Sequence, residues 1–143
     1  MNQRTACLLA CMTICCHSFA QHAHKSHTAQ KHSKKPADIH YGTASFYANK
    51  FEGRKTANGE IFSQKKMTAA SNIISLNTWV RVTNVHNKKS TIVKINDRMH
   101  RDNKRLIDMS HLAAKKLGYT GRGITRVKVE VLGKKRPEDW VEE

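Results

Sequence analysis

Cysteine is missing from almost the whole chain: Cys7, Cys11, Cys15 and Cys16 all fall within the first sixteen residues, and none follows. That excludes a disulfide scaffold, a cysteine-based zinc site and a thiol nucleophile in everything downstream. Proline is nearly absent as well, with only Pro36 and Pro137, so residues 40–132 run without one. Aromatic residues make up 6% of the chain, which calls for a small, mostly aliphatic core. Acidic residues are scarce, 11 against 26 Lys and Arg, and the formal charge is +15. No apolar run approaches the roughly 20 residues that a membrane-spanning helix needs. The 143 residues suffice for one domain and leave no room for a second core.

The chain opens with a short basic stretch ending at Arg4, followed by a small-residue apolar run to Cys16. Ser18-Phe19-Ala20 then forms a small-x-small cleavage pattern. This is the layout of a secretory signal peptide over residues 1–20, with the mature chain starting near Gln21. Leu8-Leu9-Ala10-Cys11 offers a second processing route, a lipid anchor at Cys11. Its apolar run before the cut is shorter than the usual 7–15 residues, so soluble export to the periplasm or envelope is preferred.

Residues 21–39 are polar, contain Pro36 and hold His22, His24, His27 and His32. Such a composition cannot offset the entropy of ordering, so a disordered linker is expected. These histidines read either as a transition-metal tail, since imidazole suits Zn, Cu and Ni, or as part of a solvated linker, which is preferred because their spacing fits no fixed coordination geometry; no cofactor is expected. Strand signals follow at residues 44–47, 79–83, 91–95 and 127–131, two of them alternating apolar and polar residues. Asn87 marks a turn between the second and third of these strands. One helix is expected over 111–117, capped by Ser110 and stopped by Gly118. Several short strands with one small helix indicate a mainly β, closed barrel over residues 40–132. Residues 133–143 read as a flexible tail.

That barrel segment carries 18 basic and 6 acidic residues, so each acid needs a reason. Glu52, Asp102 and Glu130 read as surface partners of nearby Lys and Arg. Asp108 precedes the helix and would favour its N-terminus. Glu60 follows the turn sequence Thr56-Ala57-Asn58-Gly59, and Asp97 ends an apolar strand. Two carboxylates at the ends of different segments are the minimum equipment for glycosidic bond cleavage. One protonates the leaving oxygen, and the other stabilises charge or accepts a proton.

Gly42-Thr43-Ala44-Ser45-Phe46-Tyr47, then Phe51-Glu52-Gly53-Arg54-Lys55-Thr56-Ala57-Asn58-Gly59-Glu60, then Ile95-Asn96-Asp97-Arg98 and Arg105-Leu106-Ile107-Asp108-Met109-Ser110 stand in order along the chain. This series resembles rare lipoprotein A, the septal-ring lytic transglycosylase family, across the whole barrel segment. The resemblance implies a six-stranded double-psi β-barrel, export to the cell envelope, and cleavage of peptidoglycan between MurNAc and GlcNAc that leaves a 1,6-anhydro end. Carried over by position, the catalytic acids fall on Glu60 and Asp97. Asn58 is a candidate sugar hydrogen-bonder or a turn former, Phe46 or Tyr47 a candidate stacking surface or core aromatics, and Arg98 a candidate sugar contact.

Two departures bear on turnover. Where the family pattern has a histidine after Thr68-Ala69-Ala70, this chain has Ser71, and Met99-His100 replaces a Gly-Pro pair. A serine hydroxyl needs an activating partner to act as a base. His100, three residues past Asp97, is either a replacement imidazole or a solvated loop residue. The expected function is an endolytic peptidoglycan transglycosylase, working as a monomer on glycan strands and attracted to anionic envelope surfaces. The alternative is a non-catalytic, expansin-like barrel that binds peptidoglycan, with Ser71 marking lost turnover. A basic chain also suits nucleic acid, but the export signal and the lack of an aromatic stacking platform argue against it.

Overall fold

The structure, a computed structural model, describes residues 38–138 and residue 140. The expected signal peptide and nearly all of the expected linker therefore lie outside the described residues. The elements, in chain order, are β1 (Ile39–Phe46), a 3-10 turn (Asn49–Phe51), β2 (Thr68–Ala70), β3 (Thr78–Asn84), β4 (Ser90–Asp97), β5 (Ile107–Met109), α1 (His111–Leu117) and β6 (Thr125–Gly133). The six strands close into a barrel in the order β1-β5-β2-β4-β3-β6. β1 runs parallel to β5 and β2 parallel to β4, while the other four pairings are antiparallel. β5 thus separates β1 from β2, and β2 separates β4 from β5. The two halves interlock, as expected for a double-psi barrel.

Alternation builds the core. Val80 and Val82 on β3, Val93 and Ile95 on β4, and Val127 and Val129 on β6 are buried, and the residues between them turn outward. β2 and β5 differ from this pattern, because all three residues of each are buried. Neither three-residue strand carries a period-2 signal, which is why residue patterning alone does not find them. Helix α1 has the expected bounds. Ser110 accepts the Ala113 N–H, Gly118 adopts a left-handed φ of 71°, and Ala113, Ala114 and Leu117 face the barrel.

Three expectations need correction. The linker ends sooner than expected, because Ile39 already pairs with Glu130 in the barrel. Asp108 does not serve the helix end. It sits in β5, where Arg105 grips it at 2.7 and 2.8 Å and Ser45 Oγ donates to it at 2.6 Å. The described part of the tail is docked: Gly133 belongs to β6, and the Trp140 ring packs edge-on against Trp79 at 5.0 Å. Two indoles covering one another bury enough apolar surface to hold a short segment despite its charges.

Candidate active site

Asp97 is aimed by an irregularity in the sheet. Ala69 pairs with Ile95 but Ala70 pairs with Asp97, so Asn96 is an extra residue in β4. A bulge of this kind re-aims the side chains around it. Ile95 and Asn96 are both buried, and Asp97 turns toward the surface.

Segments far apart in the chain then hold the Asp97 carboxylate. Tyr47, just after β1, donates its phenol to Oδ2 at 2.8 Å. The backbone N–H groups of Ala57 and Arg98 each donate to Oδ1 at 2.8 Å. Burial, and then the hydrogen bond to Asp97, push the Tyr47 phenol above its ordinary value, so it remains a proton-bearing donor. Its ring lies against Phe62 at 4.4 Å and Phe51 at 5.6 Å. Tyr47 thus holds the Asp97 carboxylate through its phenol while its ring packs against two phenylalanines, and Phe46 packs against His111 and Tyr119.

The turn sequence expected from Thr56 to Gly59 is present. The Gly59 N–H closes it onto the Thr56 carbonyl at 2.9 Å, and Gly59 has a φ of 93° that side-chain-bearing residues rarely adopt. Asn58 locks the turn from within, since its Oδ1 accepts from Thr56 Oγ1 at 2.7 Å and from the Glu60 N–H at 3.1 Å. Its amide reaches Asn77 at 2.9 Å. One turn thus aims the Ala57 N–H at Asp97 and sets the backbone of Glu60.

Glu60 faces β4 from that turn. Lys94 Nζ meets Oε1 at 2.5 Å, and the Asn96 amide donates to Oε2 at 3.1 Å. Burial alone raises the Glu60 carboxyl, but the hydrogen bonds of Lys94, Asn96 and Asn58 outweigh it and hold the group below its ordinary value. Glu60 is therefore an anion at neutral pH. Its neighbours Lys94 and Asn96 were not singled out from the sequence, although Asn96 stands directly before Asp97. Glu60 also lines a cavity of about 280 Å³ with Trp79, Lys94 and Trp140, and Asp97 is not among the lining residues.

Ser71 does not join these groups as a proton acceptor. It is fully buried, its hydroxyl donates to the Leu106 carbonyl at 2.9 Å, and its own carbonyl accepts from Arg98. Arg98 also donates to the Ile74 carbonyl at 2.7 Å, so its guanidinium ties loop backbone together. His100 is 76% exposed with Asp102 at 3.5 Å, the placement of a solvated loop residue. Lys128 and Glu130 pair at 3.0 Å as expected, whereas Glu52 accepts the Gln64 N–H at 2.6 Å. Among the described residues, no group of three or more His, Cys, Asp or Glu is placed to hold a metal ion.

A closed six-stranded mixed barrel with this interlocked strand order defines the double-psi β-barrel class. Sequence comparison narrows this: the family model described as lytic transglycolase matches residues 39–129, and the chain belongs to that family. The endolytic peptidoglycan transglycosylase RlpA of Pseudomonas aeruginosa is 54% identical over 99 residues, covering 69% of this chain and 28% of that protein. The protein of the same name from Haemophilus influenzae is 44% identical over 108 residues, covering 76% of this chain and 38% of its own length. The chain thus spans well under half the length of these curated relatives. Among solved structures, the expansin of Clavibacter michiganensis shares the fold at a TM-score of 0.56 and 20% identity, over 70% of this chain and 53% of that one.

Proposed function

We propose that this chain cuts the glycan backbone of peptidoglycan between MurNAc and GlcNAc, in the cell envelope, as an endolytic transglycosylase. The observation that carries the reading is the hold on Asp97, with donors from Tyr47 and Ala57 on its two oxygens and Glu60 tied to the adjacent Asn96. The family match over residues 39–129 covers this same barrel, and relatives named as endolytic transglycosylases are 44% and 54% identical over 108 and 99 residues.

The roles follow from the charges. Glu60 is kept ionised by Lys94 and Asn96, so it serves as a fixed anion beside the sugar and not as the acid. Asp97 gives a proton to the glycosidic oxygen as the C1–O bond breaks. The leaving sugar departs with that proton, and positive charge grows on C1 and the ring oxygen. The 6-hydroxyl of the sugar that carries C1 then adds to that C1, closing the 1,6-anhydro ring, and its proton passes to the Asp97 carboxylate. One group thus acts as acid and then as base, water is not consumed, and the enzyme returns to its starting state. Ser71 has no part in this cycle, because its hydroxyl is bonded to Leu106.

The test is mass spectrometry of purified glycan strands after incubation. Wild-type chain should release anhydro-terminated fragments of mixed length, and Asp97→Asn should lose activity by about a hundredfold or more. No anhydro product from either peptide-bearing or peptide-stripped strands overturns the proposal. The burial of Ser71 at the position of the family histidine favours one second reading, a barrel that grips glycan without cutting it. Retention on insoluble peptidoglycan without product, together with activity gained by Ser71→His, supports that alternative.

A further inference from the structure

Two acid-free stretches of the chain, residues 84–96 and 109–129, meet in space at a surface that glycan cleavage does not use. One supplies the hairpin between β3 and β4, residues 85–89, and the other supplies the loop from α1 to β6, residues 118–124. Asn84 and Asn87 both donate to the Leu117 carbonyl, at 3.0 and 2.9 Å, and Asn84 Oδ1 accepts from Thr125 Oγ1 at 3.1 Å. The Val85 N–H donates to the Arg126 carbonyl at 2.9 Å. These bonds join the two loops into one surface. Asp97 lies at the far end of β4 from the hairpin, up to about 23 Å away at the usual rise of a strand.

His86, Lys88, Lys89, Arg122 and Arg126 are exposed on this surface, and none forms an ion pair among the described residues. Lys88 takes a left-handed φ of 63°, a conformation that glycine or asparagine fills at lower cost. A lysine there carries its charge at the hairpin tip against the preference of its backbone, and such strain collects where a side chain is used. Val85 and Ile124, 38% and 57% exposed, are aliphatic and stand beside Arg126. Between the loops is a cavity of about 250 Å³ whose lining includes Asn84, His86, Asn87, Tyr119 and Arg122.

We propose that this face docks on an anionic phospholipid surface, with Lys88, Arg122 and Arg126 against the headgroup phosphates and Val85 and Ile124 entering the boundary below them. Charge complementarity selects the partner: unpaired cations with no acid among them are drawn to an anionic leaflet. The two aliphatic side chains select lipid over a hydrated polyanion, because only a bilayer offers an apolar layer directly beneath its charges. The cavity between the hairpin and the loop has room for one headgroup phosphate beside His86 and Arg122. Docked this way, the barrel stands with Asp97 held away from the lipid by the length of β4. The inference goes beyond the glycan reading and does not depend on it.

The experiment is vesicle co-sedimentation of the full chain, whose N-terminal apolar run is common to every arm. Vesicles containing phosphatidylglycerol should bind about tenfold or more tighter than vesicles of phosphatidylcholine alone. Lys88→Gly with Arg122→Gln should weaken that binding by about thirtyfold. Lys88→Gly alone should melt no lower than wild type, which separates lost binding from lost folding. Lys65→Gln with Lys66→Gln removes the same charge elsewhere and should cost about twofold or less. Val85→Ser with Ile124→Ser should cost about fivefold, and that loss should persist in salt that screens the charges. Equal binding to the two kinds of vesicle overturns the proposal. So does an equal loss from the Lys65 and Lys66 pair, which would assign the attraction to net charge. Release by inorganic phosphate but not by chloride at equal ionic strength, with no effect of the aliphatic pair, assigns the face to free phosphate and overturns the membrane.

Discussion

Replacing Tyr47 by Phe isolates the contribution of orientation at Asp97. The substitution deletes one hydrogen bond, from the phenol to Oδ2 at 2.8 Å, and keeps the ring. Phenylalanine fits the same place, because Phe62 and Phe51 hold the ring by its faces and edges. As Asp97 gives up its proton, the phenol bonds to a growing negative charge, and a hydrogen bond to a charged group contributes about 1.5–3 kcal/mol. Asp97 is only half-buried, so water replaces part of the lost interaction, and the lower end of that range applies. The remaining donors, Ala57 and Arg98, both sit on Oδ1 and leave the carboxyl free to swing. About 1.4 kcal/mol of lost transition-state stabilisation corresponds to tenfold in rate. We therefore expect kcat to fall about tenfold in the anhydro-product assay with KM little changed, and the melting temperature to drop by only a few degrees. In the Asp97→Asn background the same change should cost almost nothing further, because a positioning residue has nothing left to position. A tenfold additional loss in that background, or less than a twofold loss in the wild type, would refute the reasoning.

Ser71→Ala should cost about 1–3 kcal/mol in a urea melt, since the buried Leu106 carbonyl loses its donor; anhydro product should still form, and its loss would return Ser71 to the catalytic group. Arg105→Met leaves the Asp108 carboxylate, 12% exposed, without its guanidinium and should destabilise the barrel by about 3 kcal/mol in the same measurement. Glu60 lies below its ordinary value when folded, so its contribution to stability is present above the unfolded carboxyl value near 4.5 and fades as pH falls through the folded one. The gap in melting temperature between pH 6 and pH 3 should accordingly be smaller for Glu60→Gln than for wild type. With the side chain 37% exposed, screening limits the effect to under about 1 kcal/mol, and an identical gap would mean that Lys94 holds an already unperturbed acid.

Legibility from sequence followed physical scale. Alternating strands such as β3 and β6, and a helix capped by Ser110 and stopped by Gly118, leave local signals and are read within a residue or two. β2 and β5 leave none, because three buried residues have no period to display. Among the site residues, Glu60 and Asp97 stood out because acids are rare in a basic barrel. Lys94 did not, because a lysine in an alternating strand looks like ordinary solvent-facing charge until Glu60 is brought across to it. Ser71 could be recognised as a substitution, but only packing shows that its hydroxyl points to Leu106. The Trp79–Trp140 contact joins residues 61 positions apart, a separation that no window of sequence captures.

The interlocked strand order also governs how the barrel can be made. β1 has two neighbours, β5 and β6, and the second of these begins at Thr125. A chain emerging N-terminus first therefore presents β1 with no permanent partner until most of the molecule has followed. Loop closure over such distances is slow, and it rewards nothing until the last strand arrives. The hydrophobic faces of β3 and β4 can meet early as a hairpin, but that hairpin alone is marginal in water. Folding should consequently be close to all-or-none, and a nascent or partly threaded chain stays extended, with unsatisfied strand edges, until residues near 130 are released. The geometry that holds Asp97 thus comes into existence only with the completed barrel.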